Sequence, residues 1–397
     1  MNRNDFPILK NGLIYFDNGA TTLKPQNVID SINDYYLNYS SNIDRGEYDI
    51  SFKADEAYNK ARENVAKFIN ANTNEIVFTS NATDSLNYIV NGYFKNILKS
   101  GDEVLLTQAE HASNILPWFN LSNEIGITLD CIPLDDNYHV TLDNVIKMIN
   151  DKTKVISLAG ISNVIGDIRP IKEITKYAHE HGIYVVVDGA QSVPHIKTDV
   201  KDLDIDFLAF SAHKMLGPTG VGIMFAKDKY MSLIKPLKLG GGMNESFDSP
   251  DEIKLKEYPK VLEAGTPNIA GVIATSAAVD YLNKIGMDNI QEYESNLKAY
   301  AVSLLSKYHH IHILNTIADS GIISFYVDNI FSQDVGYYLN KYHICVRTGN
   351  HCAKLLKNEV GVTNTVRVSL YFYNTKEEID KLAELLSDPE KIRKEMI

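Results

Sequence analysis

One lysine at the end of an apolar run is the residue of this chain best suited to covalent chemistry. The segment reads Asp206-Phe-Leu-Ala-Phe-Ser-Ala-His213-Lys214-Met-Leu-Gly217-Pro-Thr-Gly220, so an interior strand meets a glycine-rich turn at the lysine. Burial disfavours an ammonium ion and lowers its pKa, which leaves a free amine that can attack an aldehyde. Taken alone, the pattern also suits a lysine that ends a strand at the surface. The residues around the other strand ends therefore decide between the two interpretations.

Polar residues also follow the other predicted strands of the chain. In chain order these residues are Thr83, Glu110, His111, Ser162, Asn163, Asp188, Gln191, Ser211 and His213. Because the carboxyl ends of parallel strands form one edge of a sheet, where ligands bind, we expect these side chains to converge. An aspartate such as Asp188, at the end of a buried strand, is costly unless it pairs with a cation.

The chemistry of these residues matches one cofactor, pyridoxal 5′-phosphate (PLP). Asp188 suits a protonated pyridine nitrogen, and Lys214 suits an aldehyde. The helix predicted to begin near Thr83 offers backbone N–H groups to a phosphate, although Thr83 taken alone is better explained as a simple N-cap. His111 can stack on a flat ring and move protons.

Alternating strands and helices from about residue 53 to residue 235 must hold these side chains. The predicted strands are Glu75–Thr79, Glu103–Thr107, Lys154–Ala159, Ile183–Asp188 and Phe207–Phe210. Apolar strands separated by helices, such as the helix predicted at Ile171–Glu180 with Gly182 as its C-cap, indicate a parallel sheet covered on both faces.

After Asn268 a long helical stretch leads into a mixed pattern. The predicted elements are strands Ser320–Val327, Ile344–Arg347 and Val366–Leu370, and helices Asp334–Leu339 and Thr375–Leu382. This pattern is typical of a smaller α+β domain, whose boundary we expect near residue 280, inside a helix.

Composition excludes several classes of function. The net charge of −12 over 397 residues argues against non-specific nucleic-acid binding. The sequence has no signal-peptide pattern and no apolar run of about 18 residues, so no membrane segment is predicted. Cys131, Cys345 and Cys352 form no disulfide framework and no CxxC pair, which favours a cytoplasmic protein; no metal site is predicted.

The chain resembles the class V aminotransferase-like PLP enzymes, and most closely the group II (Suf-type) cysteine desulfurases, relatives of selenocysteine lyase. The motifs that carry the resemblance are Tyr15-Phe-Asp-Asn-Gly-Ala-Thr-Thr, Ser211-Ala-His213-Lys214 and Leu370-Tyr-Phe-Tyr-Asn-Thr-Lys. It implies an α/β fold of PLP fold type I, with a mainly parallel central sheet in a large domain (22–280). Residues 1–21 and 281–397 would form the smaller α+β domain.

The resemblance also implies roles for the residues at the strand ends. Lys214 would carry PLP, Asp188 would pair with the ring nitrogen, Gln191 would reach the ring oxygen, His111 would lie over the ring and Asn163 beside it. The residues implied to hold the phosphate are Thr83, Ser211, His213 and, from the neighbouring subunit, Thr266. A homodimer with its sites at the interface is therefore implied.

The motif Arg347-Thr-Gly-Asn350-His351-Cys352-Ala353 matches the nucleophile loop of that family. Arg367, assisted by Arg347 and Asn163, would grip the carboxylate of L-cysteine, because a guanidinium binds a carboxylate through two parallel hydrogen bonds. Lys214 or His111 would take the α-proton. The Cys352 thiolate would then attack the substrate sulfur, leaving a persulfide and alanine, and a Suf-type acceptor protein would collect the sulfur.

Alternative interpretations remain beside this one. Cys352 could be a small buried filler, the description that fits Cys345 and Cys131. The enzyme could be a selenocysteine lyase or another lyase of cysteine-like substrates, whereas a non-catalytic regulator of sulfur transfer would be expected to have lost Lys214 or Cys352. Four positions depart from the family pattern and leave the acceptor and the rate undetermined: Gly19, Asp44 before Arg45-Gly46, Gln333 and Asn350.

Overall fold

The computed structural model describes residues 2–44 and 46–396; Arg45, named above beside Asp44, lies outside the described residues. Its strands are β1 Ile14–Tyr15, β2 Ile76–Thr79, β3 Glu103–Leu106, β4 Thr128–Cys131, β5 Thr153–Ala159, β6 Tyr184–Asp188, β7 Phe207–Ser211, β8 Gly222–Ala226, β9 Asn244–Phe247, β10 Ile253–Leu255, β11 Ile311–Ile313, β12 Ile322–Val327, β13 Ile344–Cys345, β14 Arg347–Gly349 and β15 Thr365–Ser369. Its α-helices are α1 Gln26–Asn38, α2 Asp49–Phe68, α3 Ala82–Asn87, α4 Leu116–Ile125, α5 Leu142–Met148, α6 Ile171–Glu180, α7 Asp228–Met231, α8 Ile269–Ile285, α9 Met287–Leu305, α10 Ser332–Asn340, α11 Lys357–Val360, α12 Lys376–Leu386 and α13 Pro389–Met396.

The larger sheet has seven strands in the order β2-β8-β7-β6-β5-β3-β4. All neighbours in it are parallel except β8, which runs antiparallel to both β2 and β7. The connection from β7 to β8 is too short for the crossover that a parallel neighbour needs, so β8 must return in the opposite direction. The mainly parallel α/β sheet predicted from the sequence is thus confirmed, with β4 and β8 as strands that the prediction had missed.

Neighbouring residues of the central strands pack on opposite faces of this sheet. Ile156 and Val185 belong to the apolar cluster on one face, whereas Val155 and Val186 belong to the cluster on the other. Both faces are therefore covered, which is why these strands are mostly apolar instead of alternating, with the buried Ser157 of β5 as an exception. Polar groups such as Asp188 and Ser211 lie at the strand ends.

The C-terminal half forms a second sheet with the antiparallel order β11-β12-β15-β14. The strand predicted at Ile344–Arg347 is divided: β13 pairs with β1 near the N-terminus, and β14 pairs with β15. The helical stretch is likewise divided at Gly286, whose φ of +90° few other residues adopt. Residue 280, the expected boundary, falls inside α8.

Helix boundaries follow local capping rules. Gly182 follows α6 with a φ of +69°, the left-handed conformation expected at a helix C-terminus. Thr375, predicted as the first residue of a helix, is instead the N-cap of α12 and forms a capping box with Glu378. Among the described residues, no helix is both long enough and apolar enough to cross a membrane.

Candidate active site

A cavity of about 310 Å³ lies where β5, β6 and β7 end. This volume is at the lower end of the range typical of small-molecule sites. The predicted site residues that line it are Thr83, His111, Asn163, Asp188, Gln191, Ser211, His213, Lys214, Arg347 and Arg367. Residues as far apart in sequence as 83 and 367 thus meet at one sheet edge, while Cys352 and Thr266 lie outside the lining.

Lys214 and Asp188 reach the cavity from neighbouring strands. A short 3-10 turn, Ala212–Lys214, follows β7 and brings the lysine to the cavity near Asp188 at the end of β6. Burial lowers the pKa of Lys214 to about 8, and Asp188 offsets part of that effect. Burial raises the pKa of Asp188 to about 6, opposed by a hydrogen bond from the Ala190 N–H and by Lys214. A lysine whose pKa is lowered in this way fits the Schiff-base interpretation better than a surface strand end.

Two buried side-chain amides leave an oxygen free beside the cavity. Gln191 donates through Nε2 to the Gly19 carbonyl at 2.7 Å, and Asn163 donates through Nδ2 to the His351 carbonyl at 2.8 Å. Their oxygens, Oε1 and Oδ1, are buried without a hydrogen-bond partner among the described residues. Buried polar atoms are normally satisfied, so these oxygens indicate a polar ligand, and a ring hydroxyl is a suitable donor.

The chain segment before α3 lies close to the end of β7. The N-cap of α3 is Asn81, which accepts the Asp84 N–H at 2.9 Å, so the simple N-cap alternative for Thr83 is wrong. Ser211 accepts the Ala82 N–H at 2.7 Å. A Cβ on Gly222 would stand only 2.3 Å from the Asn81 backbone, so glycine is required in β8 for this segment to reach the site.

Two of the three histidines that line the cavity, His111 and His213, are kept neutral by their surroundings. Burial and the neighbouring charges of Lys214, Arg347 and Arg367 lower the pKa of His111 to about 4. Burial, with Lys214 and Lys24, lowers the pKa of His213 to about 4 as well. Both rings therefore offer neutral imidazoles to a ligand at neutral pH.

Arg367, on β15, is a buried cation at the cavity wall. It donates to the Asn163 carbonyl at 2.9 Å and to Asp17 at 3.1 Å, while its Nε has no hydrogen-bond partner among the described residues. Gly19 lies against it: a Cβ there would stand 3.0 Å from the guanidinium carbon. Gly19, where the family pattern has alanine, therefore leaves the guanidinium more room than alanine would.

Cys352 lies on an exposed loop beside the cavity, and its backbone is held from two sides. Its carbonyl accepts the Ala112 N–H at 2.8 Å, next to His111, and its own N–H donates to Asn350 at 3.1 Å. His351 and Cys352 both have positive φ, +51° and +60°. The Arg347 guanidinium lies 4.0 Å from the Cys352 sulfur. The thiol is exposed, so the buried-filler alternative for Cys352 is wrong.

Two features of the site were missed from the sequence. The buried Glu110 carboxylate is bound by Arg169, and it also accepts the Ala159 N–H at 2.8 Å, which ties the segment before His111 to the end of β5. His351 is buried and bonds Thr365 through Nε2 at 2.8 Å. Glu110 was noted as a polar strand-end residue, but Arg169 lies 59 positions away and only the fold brings the two together.

Thr266 lies on an exposed loop apart from the cavity. Asn42 approaches its hydroxyl at 3.4 Å. The loop is anchored by Glu263, which pairs with Arg62 at 2.7 Å and accepts the Phe78 N–H at 2.7 Å. Nearby, Asp44 pairs with Lys256 and Lys260 of the loop that follows β10. Thr266 therefore follows an anchored residue but does not line the cavity of its own chain.

Comparisons with known proteins agree with this geometry. The family model for aminotransferase class-V matches residues 14–382. A probable cysteine desulfurase of Halalkalibacterium halodurans is 41% identical over 95% of this chain and 94% of its own. The apo cysteine desulfurase of Thermococcus onnurineus NA1 is 36% identical, with a TM-score of 0.94 over 99% of this chain and 97% of its own. The Escherichia coli cysteine desulfurase CsdA, solved as an S-sulfonic acid, is 32% identical, with a TM-score of 0.92 over 100% of this chain and 98% of its own.

Proposed function

The chain belongs to the class V aminotransferase family and is a cysteine desulfurase, and we propose that it uses PLP, Lys214 and Cys352 to convert L-cysteine to L-alanine. The observation that supports these assignments best is the geometry around Cys352. Its exposed thiol lies on a loop bonded to the residue after His111, beside a cavity that contains Lys214. The thiol can therefore face both the cavity and a protein in solution.

The residues present fit PLP. Lys214 would hold its aldehyde carbon, Asp188 its ring nitrogen and Gln191 its ring hydroxyl, with His111 over the ring and Asn163 beside it. The residues that would hold its phosphate are Thr83, Ser211 and His213. When bound, PLP supplies an electron sink that weakens the bonds at the α-carbon of an amino acid.

The other steps fall to the chain's own side chains. The guanidinium of Arg367 would bind the substrate carboxylate through its free Nε edge, with Arg347 nearby. A base in the cavity would remove the α-proton. The Cys352 thiolate would attack the substrate sulfur and form a persulfide as the bond between that sulfur and the β-carbon breaks. The β-carbon keeps the bonding electron pair and takes up a proton, and the α-carbon regains its proton, which gives alanine. An acceptor protein would then collect the sulfur from the exposed loop.

The direct test is to mix the purified holoenzyme with L-cysteine under reducing conditions and to measure alanine and sulfide. We expect the two products in equal amounts, because each turnover releases one sulfur. Selenocysteine, tested in parallel, distinguishes the alternative of a selenocysteine lyase. The proposal would be contradicted by a strong preference for selenocysteine. It would also be contradicted if the protein binds PLP but forms no alanine from either substrate.

We expect Arg367→Lys to raise the KM for cysteine by about ten- to a hundredfold, the scale of a charged hydrogen-bonded pair. A lysine keeps the charge but cannot present two parallel donors to a carboxylate. Steady-state kinetics of alanine formation measure the change, with Arg393→Lys, an exposed pair with Glu390 on α13, as the matched control. An unchanged KM would place the carboxylate elsewhere.

A homodimer of Suf type would best explain why Thr266 is exposed and lies outside the cavity of its own chain. In such a dimer its hydroxyl would suit the phosphate site of the second subunit. Large apolar side chains are exposed around it and on the nearby hairpin, which is unusual for a face in contact with water: Tyr48, Ile50, Phe52, Leu239 (79% exposed), Phe247 (69% exposed) and Ile253. Analytical ultracentrifugation should give twice the chain mass of 44.5 kDa. A monomer that nevertheless retains full PLP affinity would exclude a role for Thr266.

A further inference from the structure

A single neighbouring residue, Ser113, holds one edge of the His111 ring. The Ser113 backbone N–H donates to Nδ1 of His111 at 3.1 Å, and the Ser113 hydroxyl lies 3.0 Å from the same nitrogen. A ring nitrogen that accepts a backbone N–H carries a lone pair and no proton. A neutral His111 therefore carries its one proton on Nε2.

The Ser113 hydroxyl is oriented in turn by Thr83. The two hydroxyl oxygens are 2.7 Å apart, and when Thr83 donates to Ser113 the Ser113 hydrogen is left for His111. The charged groups that face the ring act in the same direction, because Lys214, Arg347 and Arg367 are all cations and oppose a second proton on it. The imidazole is therefore held neutral, with both Ser113 donors directed at Nδ1.

We propose that Ser113 is a positioning residue that fixes His111 as a neutral Nε2–H hydrogen-bond donor, so that Lys214 is the base for the α-proton of cysteine. This rests on the proposed function, since the proton in question belongs to that substrate. A base must offer a lone pair, and the lone pair of His111 is engaged by Ser113. Among the described residues nothing hydrogen-bonds Nε2, so this N–H is available to a ligand in the cavity.

Lys214 can offer the free lone pair that a base needs, whereas His111 cannot. Burial lowers the pKa of its amine to about 8, so about a tenth of it is uncharged at pH 7 and offers a lone pair. A neutral imidazole that donates through N–H can instead stabilise negative charge that develops in the cavity, as such histidines do in other enzymes. Lys214 then removes the α-proton, and His111 stabilises the negative charge.

The tautomer of His111 can be read in the holoenzyme by NMR after labelling with 15N-histidine. The signals of His111 are those missing from a His111→Asn sample. We expect wild type to show an unprotonated Nδ1 and a protonated Nε2 at neutral pH. In Ser113→Ala the midpoint of His111 titration should rise toward the ordinary pKa, because one donor to Nδ1 is lost. Ser113→Thr should restore the wild-type midpoint.

The control is Ser122→Ala, which removes a hydroxyl bonded at 2.7 Å to the Ile127 carbonyl beside α4, away from the cavity. Ser113→Ala should also slow alanine formation about fivefold, the scale of one lost hydrogen bond, whereas Ser122→Ala should not. A proton on Nδ1 in wild type, or an unchanged midpoint in Ser113→Ala, would overturn the proposal. A wild-type enzyme that forms no alanine would overturn the proposed function instead, and the tautomer result would still stand.

Discussion

Replacing Lys214 with alanine is expected to lower alanine formation by about a thousandfold or more, the scale seen when a covalent catalytic group is removed. The variant loses both the group that would attach PLP and the proposed base. The loss should be visible without any turnover, because the absorption band of lysine-linked PLP disappears while the cofactor can still bind through Asp188 and the phosphate contacts. Absorption spectra and an alanine assay on the same samples measure both effects.

A surface lysine gives the matched control for this experiment. Lys172 lies on α6 and pairs with Asp202 on the exposed face of the helix, so Lys172→Ala should keep both the spectrum and the activity. Normal alanine formation by Lys214→Ala would contradict the assignment, because no other lysine lines the cavity in the part of the chain that the structure describes.

The lowered pKa of Lys214 adds a dependence on pH that can be measured in apoenzyme. The amine must be uncharged to attack the aldehyde of added PLP, so the rate of covalent attachment should rise with pH and level off above about 8. Stopped-flow absorbance would follow the attachment. A rate that continues to climb up to the ordinary lysine pKa would mean that burial does not lower the pKa of this amine.

Cys352→Ala is expected to reduce alanine formation by about a hundredfold or more, the scale of a missing nucleophile, with the PLP spectrum unchanged. The two effects separate because the Cys352 side chain is exposed and lies outside the cavity lining. The alanine assay, absorption spectra and thermal melting of the holoenzyme together show whether only the chemical step is lost.

Cys345→Ala and Cys131→Ala are the matched controls, since both thiols lie on strands and are partly buried. Burial raises the pKa of each, which keeps them protonated and unreactive at neutral pH. Both variants should retain activity. If Cys352→Ala formed alanine at the wild-type rate, sulfur would leave without this thiol, and a lyase acting by elimination would be the better description.

Residue chemistry alone predicted the main sheet and eight of the residues that line the cavity, whereas Arg347 and Arg367 were assigned from the family resemblance. Lys214 and Asp188 were recognisable because a charged group at the end of an apolar strand needs an explanation that only a partner can give. Strand β8 was missed because the short Gly-rich turn before it hides a change of direction. Thr83 was open to an N-cap interpretation because the sequence does not show that Asn81 occupies that position.

Contacts between distant residues could not be predicted from the sequence. Gly19 lies against Arg367, which is 348 positions further along the chain, so its effect on the guanidinium appears only after folding. The contact of Thr83 with Ser113 joins the first turn of α3 to the segment after β3, 30 positions further along the chain, and was likewise not predictable.

The positive φ angles of His351 and Cys352 have a consequence for evolution and engineering. Cysteine rarely adopts the left-handed region, and Cys352 costs about 1–2 kcal/mol there relative to a relaxed backbone. Glycine or asparagine would suit position 352 better by backbone preference alone. A search for heat-resistant variants that selected for folding stability alone would therefore tend to replace Cys352. The trade-off between stability and activity is then located in a single side chain.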